Sequence, residues 1–205
     1  MDIKLYQVGP LATNCYLVTC ETTGESVIVD PGGVSDELMN EIQGTSVRAV
    51  LLTHGHFDHI AGVNTIVGET GAGVYIHPLD APMLTDPGLN GSFMIGEAIR
   101  ANGRPEMLAA GGEFVLGASK LRILHTPGHT RGGVSFLSDS DFIIAGDTLF
   151  KMSVGRWDLP GGNYETLMNT IRHIFGELPE TMHVLPGHGA MTTIGFEKRF
   201  NQFME

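Results

Sequence analysis

Only two cysteines occur in the chain, Cys15 and Cys20, and they do not form a CxxC pair. Neither a thiolate zinc knuckle nor a disulfide framework can therefore be the basis of the fold. On one strand, side chains five positions apart point to opposite faces, so a bond between the two is not expected and two reduced, partly buried thiols are. Basic residues are also scarce, 12 against 23 acidic ones, for a formal net charge of -11. No basic stripe or polybasic run is visible, which argues against a nucleic-acid partner and against docking on an anionic membrane. Long apolar runs are missing as well. Nothing approaches the roughly twenty residues needed to cross a bilayer, and the opening MDIKLYQVGP has no charged region followed by an apolar one. A cytoplasmic protein acting on a small molecule is the expectation, with the oligomeric state left open.

What is present fits an ordinary core. At 205 residues, 42% hydrophobic and 17% charged, the chain is expected to form a single domain over 1–205 in two similar halves, about 1–112 and 113–205. Its 28 glycines are many for such a core and suit a site assembled from loops. Alternation and β-branched runs predict a meander over Ile3 to Val8, Asn14 to Thr19 and Ser26 to Val29, which ends sharply at Val29-Asp30-Pro31-Gly32-Gly33. Further strands are predicted at Val47 to Thr53, Val74 to His77, Glu113 to Leu116, Lys120 to His125, Val134 to Leu137, Phe142 to Ala145 and Met182 to Leu185. Helices are predicted from the Ser35 cap to about Gln43, over Tyr164 to Phe175, and from Phe196 onward. Residues 84–112 read as a long binding loop or lid that shapes a pocket through Phe93 and Met94. Strand runs with helices at their ends imply an α/β protein of two packed sheets with helices outside.

The segment Thr53-His54-Gly55-His56-Phe57-Asp58-His59 places four potential ligands within six residues, directly after an apolar strand. In an extended stretch His54 and His56 face one side, and a helix beginning at Asp58 brings that carboxylate and His59 to the same cavity. Gly55 leaves room for the backbone to approach ions. Three further fragments share one design, an apolar strand ending in a glycine-flanked ligand: His129 in Thr126-Pro127-Gly128-His129-Thr130, Asp147 in Ala145-Gly146-Asp147-Thr148, and His188 in Pro186-Gly187-His188-Gly189. A lone histidine after a strand is more often structural, but three such fragments beside the first cluster reverse that balance. Of the remaining histidines, His125 could orient a ligand, His77 and His183 read as strand residues, and His173 as a helix face. Seven ligands exceed what one catalytic zinc takes and suit two divalent ions sharing a carboxylate. Imidazole and carboxylate donors fit zinc first, with iron or manganese as alternatives. Two ions about 3.5 Å apart can hold a bridging hydroxide near neutral pH.

The THGHFDH segment, with His129, Asp147 and His188, resembles the metallo-β-lactamase superfamily over nearly the whole chain. HTPGHT, GDTLF and LPGHG look like its glyoxalase II (hydroxyacylglutathione hydrolase) branch, in the short bacterial form. The resemblance implies a four-layer αββα sandwich with its site at one edge. It implies one metal on His54, His56 and His129 and a second on Asp58, His59 and His188, with Asp147 bridging. Catalytic roles would then fall to Asp147 and to Asp58, which orients the attacking oxygen as it binds. Asp58-His59 also departs from the cysteine-containing second site of the β-lactamases proper. The residues after His188 are too few for the helical domain with which longer relatives grip glutathione, so the short type without that domain is expected. Gly155-Arg156-Trp157-Asp158 is similar to short relatives and to persulfide dioxygenases, so Arg156 and Asp158 are candidates for substrate contact or for an internal ion pair.

The expected function is thus hydrolysis of a thioester such as S-lactoylglutathione. A single-iron persulfide dioxygenase is one alternative, and a lactone or phosphoester hydrolase on the same scaffold is another.

Overall fold

The computed structural model describes residues 1–204. Strands β1 (Asp2–Val8), β2 (Thr13–Thr19) and β3 (Glu25–Val29) form the predicted antiparallel meander, with Tyr6 opposite Cys15 and Tyr16 opposite Val29. The chain then crosses over through helix α1 (Asp36–Ile42), whose first turn is capped by the Ser35 hydroxyl accepting from the Leu38 amide at 3.2 Å. Strand β4 (Ser46–Leu51) lies parallel to β3, followed by helices α2 (Phe57–Ile60) and α3 (Val63–Thr70) and by the parallel strands β5 (Gly73–Ile76) and β6 (Glu106–Met107). These six strands make one sheet in sequence order. Helix α3 was not predicted, although Val63, Ile66 and Val67 stand at helical spacing; it ends where Gly71 takes a left-handed φ of 70°, a conformation glycine adopts without strain.

The second sheet begins with strands β7 (Glu113–Leu116), β8 (Ser119–His125), β9 (Val134–Ser138) and β10 (Phe142–Gly146), joined antiparallel. A small hairpin, β11 (Leu149–Phe150) with β12 (Ser153–Val154), leads to helix α4 (Tyr164–Thr170), capped by Asn163 and continued by a π-helical turn over Ile171–Phe175. Strand β13 (His183–Pro186) pairs parallel with β10, and β14 (Thr192–Thr193) and helix α5 (Ile194–Phe200) complete the sheet and its cover. The change from one sheet to the other falls between Met107 and Glu113.

Three apolar layers account for the stacking. Leu38, Ile42, Val63 and Ile66 of the first helices pack on Leu17, Ile28 and Val50 of the first sheet. Val18, Val27, Val29 and Leu51 meet Leu121, Ile123, Phe136 and Ile144 between the sheets. Ile143, Ala145 and Val184 meet Leu167, Ile171, Phe175 and Ile194 on the far side. The order helix, sheet, sheet, helix is the αββα arrangement. Phe136 is fully buried in the middle layer, so Phe136→Ala is expected to lower unfolding free energy by about 3–5 kcal/mol. Urea unfolding measures it, and a loss near zero would mean the two sheets do not share a packed layer.

Candidate metal centre

Every residue of the centre sits just past the C-terminal end of a strand, and both sheets contribute. Strand β4 stops at Leu51, two residues earlier than predicted, because a carboxylate from another loop claims Thr53: Asp30 Oδ1 accepts from the Thr53 amide at 2.7 Å and Oδ2 from its hydroxyl at 2.5 Å. His54 and His56 follow in extended loop, and α2, starting at Phe57, presents Asp58 and His59. His129 comes from the loop after β8, Asp147 from the turn after β10, and His188 from the turn after β13. The fold thus brings all seven predicted residues together. His54, His56 and His129 form one triad whose ligand atoms lie within 4.8 Å of one another, and Asp58, His59 and His188 form another. Asp147 stands between them, with Oδ1 3.4 Å from His59 Nε2 and Oδ2 3.7 Å from His129 Nε2 and 3.6 Å from His188 Nε2.

Hydrogen bonds on the far side of each ring settle which nitrogen is bare. His129 Nδ1 donates to the Arg156 carbonyl at 2.6 Å, His59 Nδ1 to Asp30 at 2.9 Å, and His188 Nδ1 to the Leu11 carbonyl at 3.3 Å. Thr53 gives its own proton to Asp30, so its oxygen accepts from His54 Nδ1 at 3.1 Å. In all four rings Nε2 is the nitrogen directed into the centre, with its lone pair free to ligate whenever the ring is neutral. His56 differs, since its Nδ1 faces His129 Nε2 at 2.9 Å. That spacing is close to the roughly 3.3 Å edge of a tetrahedral site with metal–nitrogen bonds of about 2.0–2.1 Å. The buried atoms His54 Nε2, His56 Nε2, His59 Nε2 and Asp147 Oδ1 have no hydrogen-bond partner in the protein. Buried polar atoms are rarely left so; His54 Nε2, His59 Nε2 and Asp147 Oδ1 lie within the two triads, where divalent ions would satisfy them, while His56 Nε2 is on the opposite side of its ring from the Nδ1 that faces His129.

The charges agree. Burial, reinforced by the neighbouring rings, lowers the His54 imidazole well below its ordinary value and pushes His56 down to about 3, so both stand neutral and able to ligate. Burial opposes ionisation of Asp147 and Asp58, but His59 outweighs it, helped by His129 and His188 at Asp147 and by His188 at Asp58; both acids are held below their usual range. His59 and His188 are raised in turn, against burial, by the surrounding carboxylates. The first triad is thus poor in charge and the second rich, and Asp147 serves both.

Three buried acids carry no signal in the sequence. Asp30 is a third neighbour of His54 and His59, but its oxygens are taken by Thr53 and the His59 N–H, so it orients one ring of each triad instead of ligating. Asp80 accepts from the Thr130 hydroxyl at 2.6 Å and the Gly132 amide at 2.7 Å, holding the His129 loop. Glu197 of α5 accepts from the Thr192 hydroxyl at 2.5 Å, the Met152 amide at 2.8 Å and Asn201 Nδ2 at 2.8 Å. It ties down the β11–β12 hairpin, so Glu197→Ala, which leaves the buried Thr192 hydroxyl and the Met152 amide without their acceptor, is expected to lose about 2 kcal/mol or more in thermal unfolding.

Two glycine positions are dictated by close approach. A Cβ at Gly187 would run into Asp147 Oδ1. At Gly55 the obstacle is Met83, whose Cβ would lie 2.5 Å away, so packing against the 81–84 turn, not approach to ions, requires glycine there. His125 does not reach a ligand. Its Nε2 donates to the Arg131 carbonyl at 3.0 Å and its ring stacks on His77 at 4.6 Å, which braces the loop carrying His129.

The centre opens into a cleft of about 470 Å³ whose lining includes Leu11, Phe57, Met94, Phe150, Arg156 and Leu159. The 84–112 segment forms one wall, pinned by Asn90, whose carbonyl accepts from the Phe57 amide at 3.0 Å and whose side chain donates to Met83 and Ile99 carbonyls at 2.9 Å. Phe93 is 76% exposed; its neighbour Met94 takes the wall position expected of it. Arg156 borders the cleft while its Nε and Nη2 each bond Asp158 at 2.8 Å, so the loop-fixing ion pair is present, and Asp158 is not among the residues that line the cleft.

Comparison with known proteins agrees with this geometry. A probable metallo-hydrolase of Bacillus subtilis is 38% identical over 208 residues, covering 100% of this chain and 98% of that one. A hydroxyacylglutathione hydrolase of Haemophilus influenzae is 31% identical over 216 residues, covering 100% and 98%. Among solved structures, the B3 metallo-β-lactamase BLEG-1 superposes with a TM-score of 0.92 at 36% identity over 99% of both chains. TTHA1623, solved in a di-iron-bound form, gives 0.87 at 36% identity, covering 98% of this chain and 99% of that one. The model of the metallo-beta-lactamase superfamily matches residues 8–188, and the chain belongs to that superfamily.

Proposed function

We propose that the protein is a two-metal hydrolase that cleaves thioesters of small thiols, with zinc as its ions. The observation that carries the reading is Asp147 standing between two triads at the floor of an apolar cleft. Divalent ions held there supply Lewis acidity and a water acidified to near neutral pH. The chain's own part is to keep five imidazoles and two carboxylates aimed at one point before substrate arrives. Asp30, Thr53 and the carbonyls of Leu11 and Arg156 do this from behind.

The substrate class follows from the leaving group. Asp58 and Asp147 are held ionised, so neither is a proton donor at neutral pH. A thiolate, with a pKa near 8.5, leaves without one, whereas an amine or alkoxide needs a general acid. The hydroxyacylglutathione hydrolase relative of Haemophilus influenzae supports the same chemistry, and the BLEG-1 and Gly155–Asp158 similarities keep β-lactams and persulfides in view. The test is a panel of S-lactoylglutathione, simple acyl thioesters, a lactone, a phosphodiester and a β-lactam on zinc-loaded protein, with oxygen uptake on a persulfide for iron-loaded protein. Thioesters should lead in kcat/KM by about 100-fold or more, about 2.7 kcal/mol. Oxygen consumption, or a lead by another ester or the β-lactam, would overturn the assignment.

A further inference from the structure

The cleft walls carry a second message. Leu11, Phe57, Met94, Phe150, Val154 and Leu159 surround the volume above the metal ligands. Leu11 and Met94 remain more than half exposed at its mouth, apolar surface that a bound group would cover. Met94 belongs to the turn Ser92–Ile95, which is held between Gly91 at φ 83° and Gly96 at φ 76°. Among the described residues, Arg156 is the one lysine or arginine in the lining, and its Nε and Nη2 are engaged by Asp158; of the neutral polar residues there, Ser153 and Asn90, the Asn90 amide is spent on the Met83 and Ile99 carbonyls.

We infer that this cleft selects thioesters by an apolar, uncharged acyl group, in preference to hydroxyacyl groups; the inference rests on the thioester reading above. A hydroxyl or carboxylate placed against these apolar side chains gives up water without gaining a partner, whereas each methylene gains burial. A thiol carrier bearing carboxylates or phosphates meets in the walls only Arg156, whose charge is already balanced by Asp158, and is left at the open mouth, so the acyl group is the part that enters. From the usual transfer free energy, each added CH2 should strengthen binding about three- to fourfold.

Binding tests this without turnover. Calorimetry on the zinc-loaded chain with acetate, butyrate, hexanoate and octanoate, the hydrolysis products of the series, should show affinity rising about three- to fourfold per methylene up to at least hexanoate. Lactate should bind more weakly than butyrate. Met94→Glu, at an exposed wall position away from the metal ligands, should flatten the series while retaining zinc. A flat series in the unsubstituted chain, or lactate binding best, would overturn the inference. The same acyl groups on one thiol then separate the two ideas. Rising carboxylate affinity with no thioester turnover removes the thioester reading and leaves the apolar pocket. Turnover indifferent to chain length does the reverse.

Discussion

Asp147→Ala is expected to lower kcat/KM by about 10³-fold or more and to leave fewer than two ions bound per chain. The magnitude follows from several kcal/mol of transition-state stabilisation supplied by metal, at about 1.4 kcal/mol per tenfold. The reason is positional. Among the described residues, Asp147 is the one carboxylate within 4 Å of histidine nitrogens of both triads, and the adjoining Gly187 position is kept bare by it. No other carboxylate can move into its place, because Asp58 is engaged with His188 at 3.1 Å and Asp30 is spent on Thr53 and His59. Elemental analysis and thermal unfolding of the same sample separate loss of metal from loss of fold. A variant holding both ions with full turnover would remove Asp147 from the bridging role.

Asp30→Asn is the second large effect, and it acts from behind the ligands. Asn tolerates the left-handed backbone that Asp30 adopts at φ 52°, so the fold survives the exchange. An amide can accept from the Thr53 N–H through its oxygen, but its NH2 cannot accept from the Thr53 hydroxyl or the His59 N–H. One ring of each triad loses the group that holds it, and zinc affinity should fall about 10–100-fold. Asp30→Ala should add about 3 kcal/mol of instability, since it strands the buried Thr53 amide as well. Competition with a chromophoric chelator gives the affinity and urea unfolding the stability. Undiminished zinc affinity in Asp30→Asn would show that His54 and His59 are held by packing alone.

The two acids differ in how far the sequence announces them. Asp147 is legible because an apolar strand runs directly into it, and THGHFDH is legible because a solvated turn or a core seldom gathers four donors into six residues. Asp30 looks like part of an ordinary Asp-Pro-Gly turn. Its meaning depends on Thr53, brought beside it only when β3 and β4 pair in parallel. The same pairing explains why β4 ends before Thr53. Strands of five to seven residues are readable from alternation and β-branching. The two-residue strands β6, β11, β12 and β14 are too short to show a period, and the π-helical turn at Ile171–Phe175 has the same apolar spacing as the helix it continues. Which neighbour on the 92–95 turn faces the cleft, Phe93 or Met94, depends on the left-handed glycines at either end, so the residue pair is predictable and its orientation is not. Asp80 and Glu197 give no warning because their partners lie on other elements.

The central claim is that the two triads and Asp147 together hold two working ions. Titration of zinc into metal-free protein, with thioester hydrolysis followed after each addition, tests it directly. The account predicts that binding saturates at two ions per chain, with activity rising until the second is bound. Saturation at one ion, or full activity with one and none gained from a second, would contradict it.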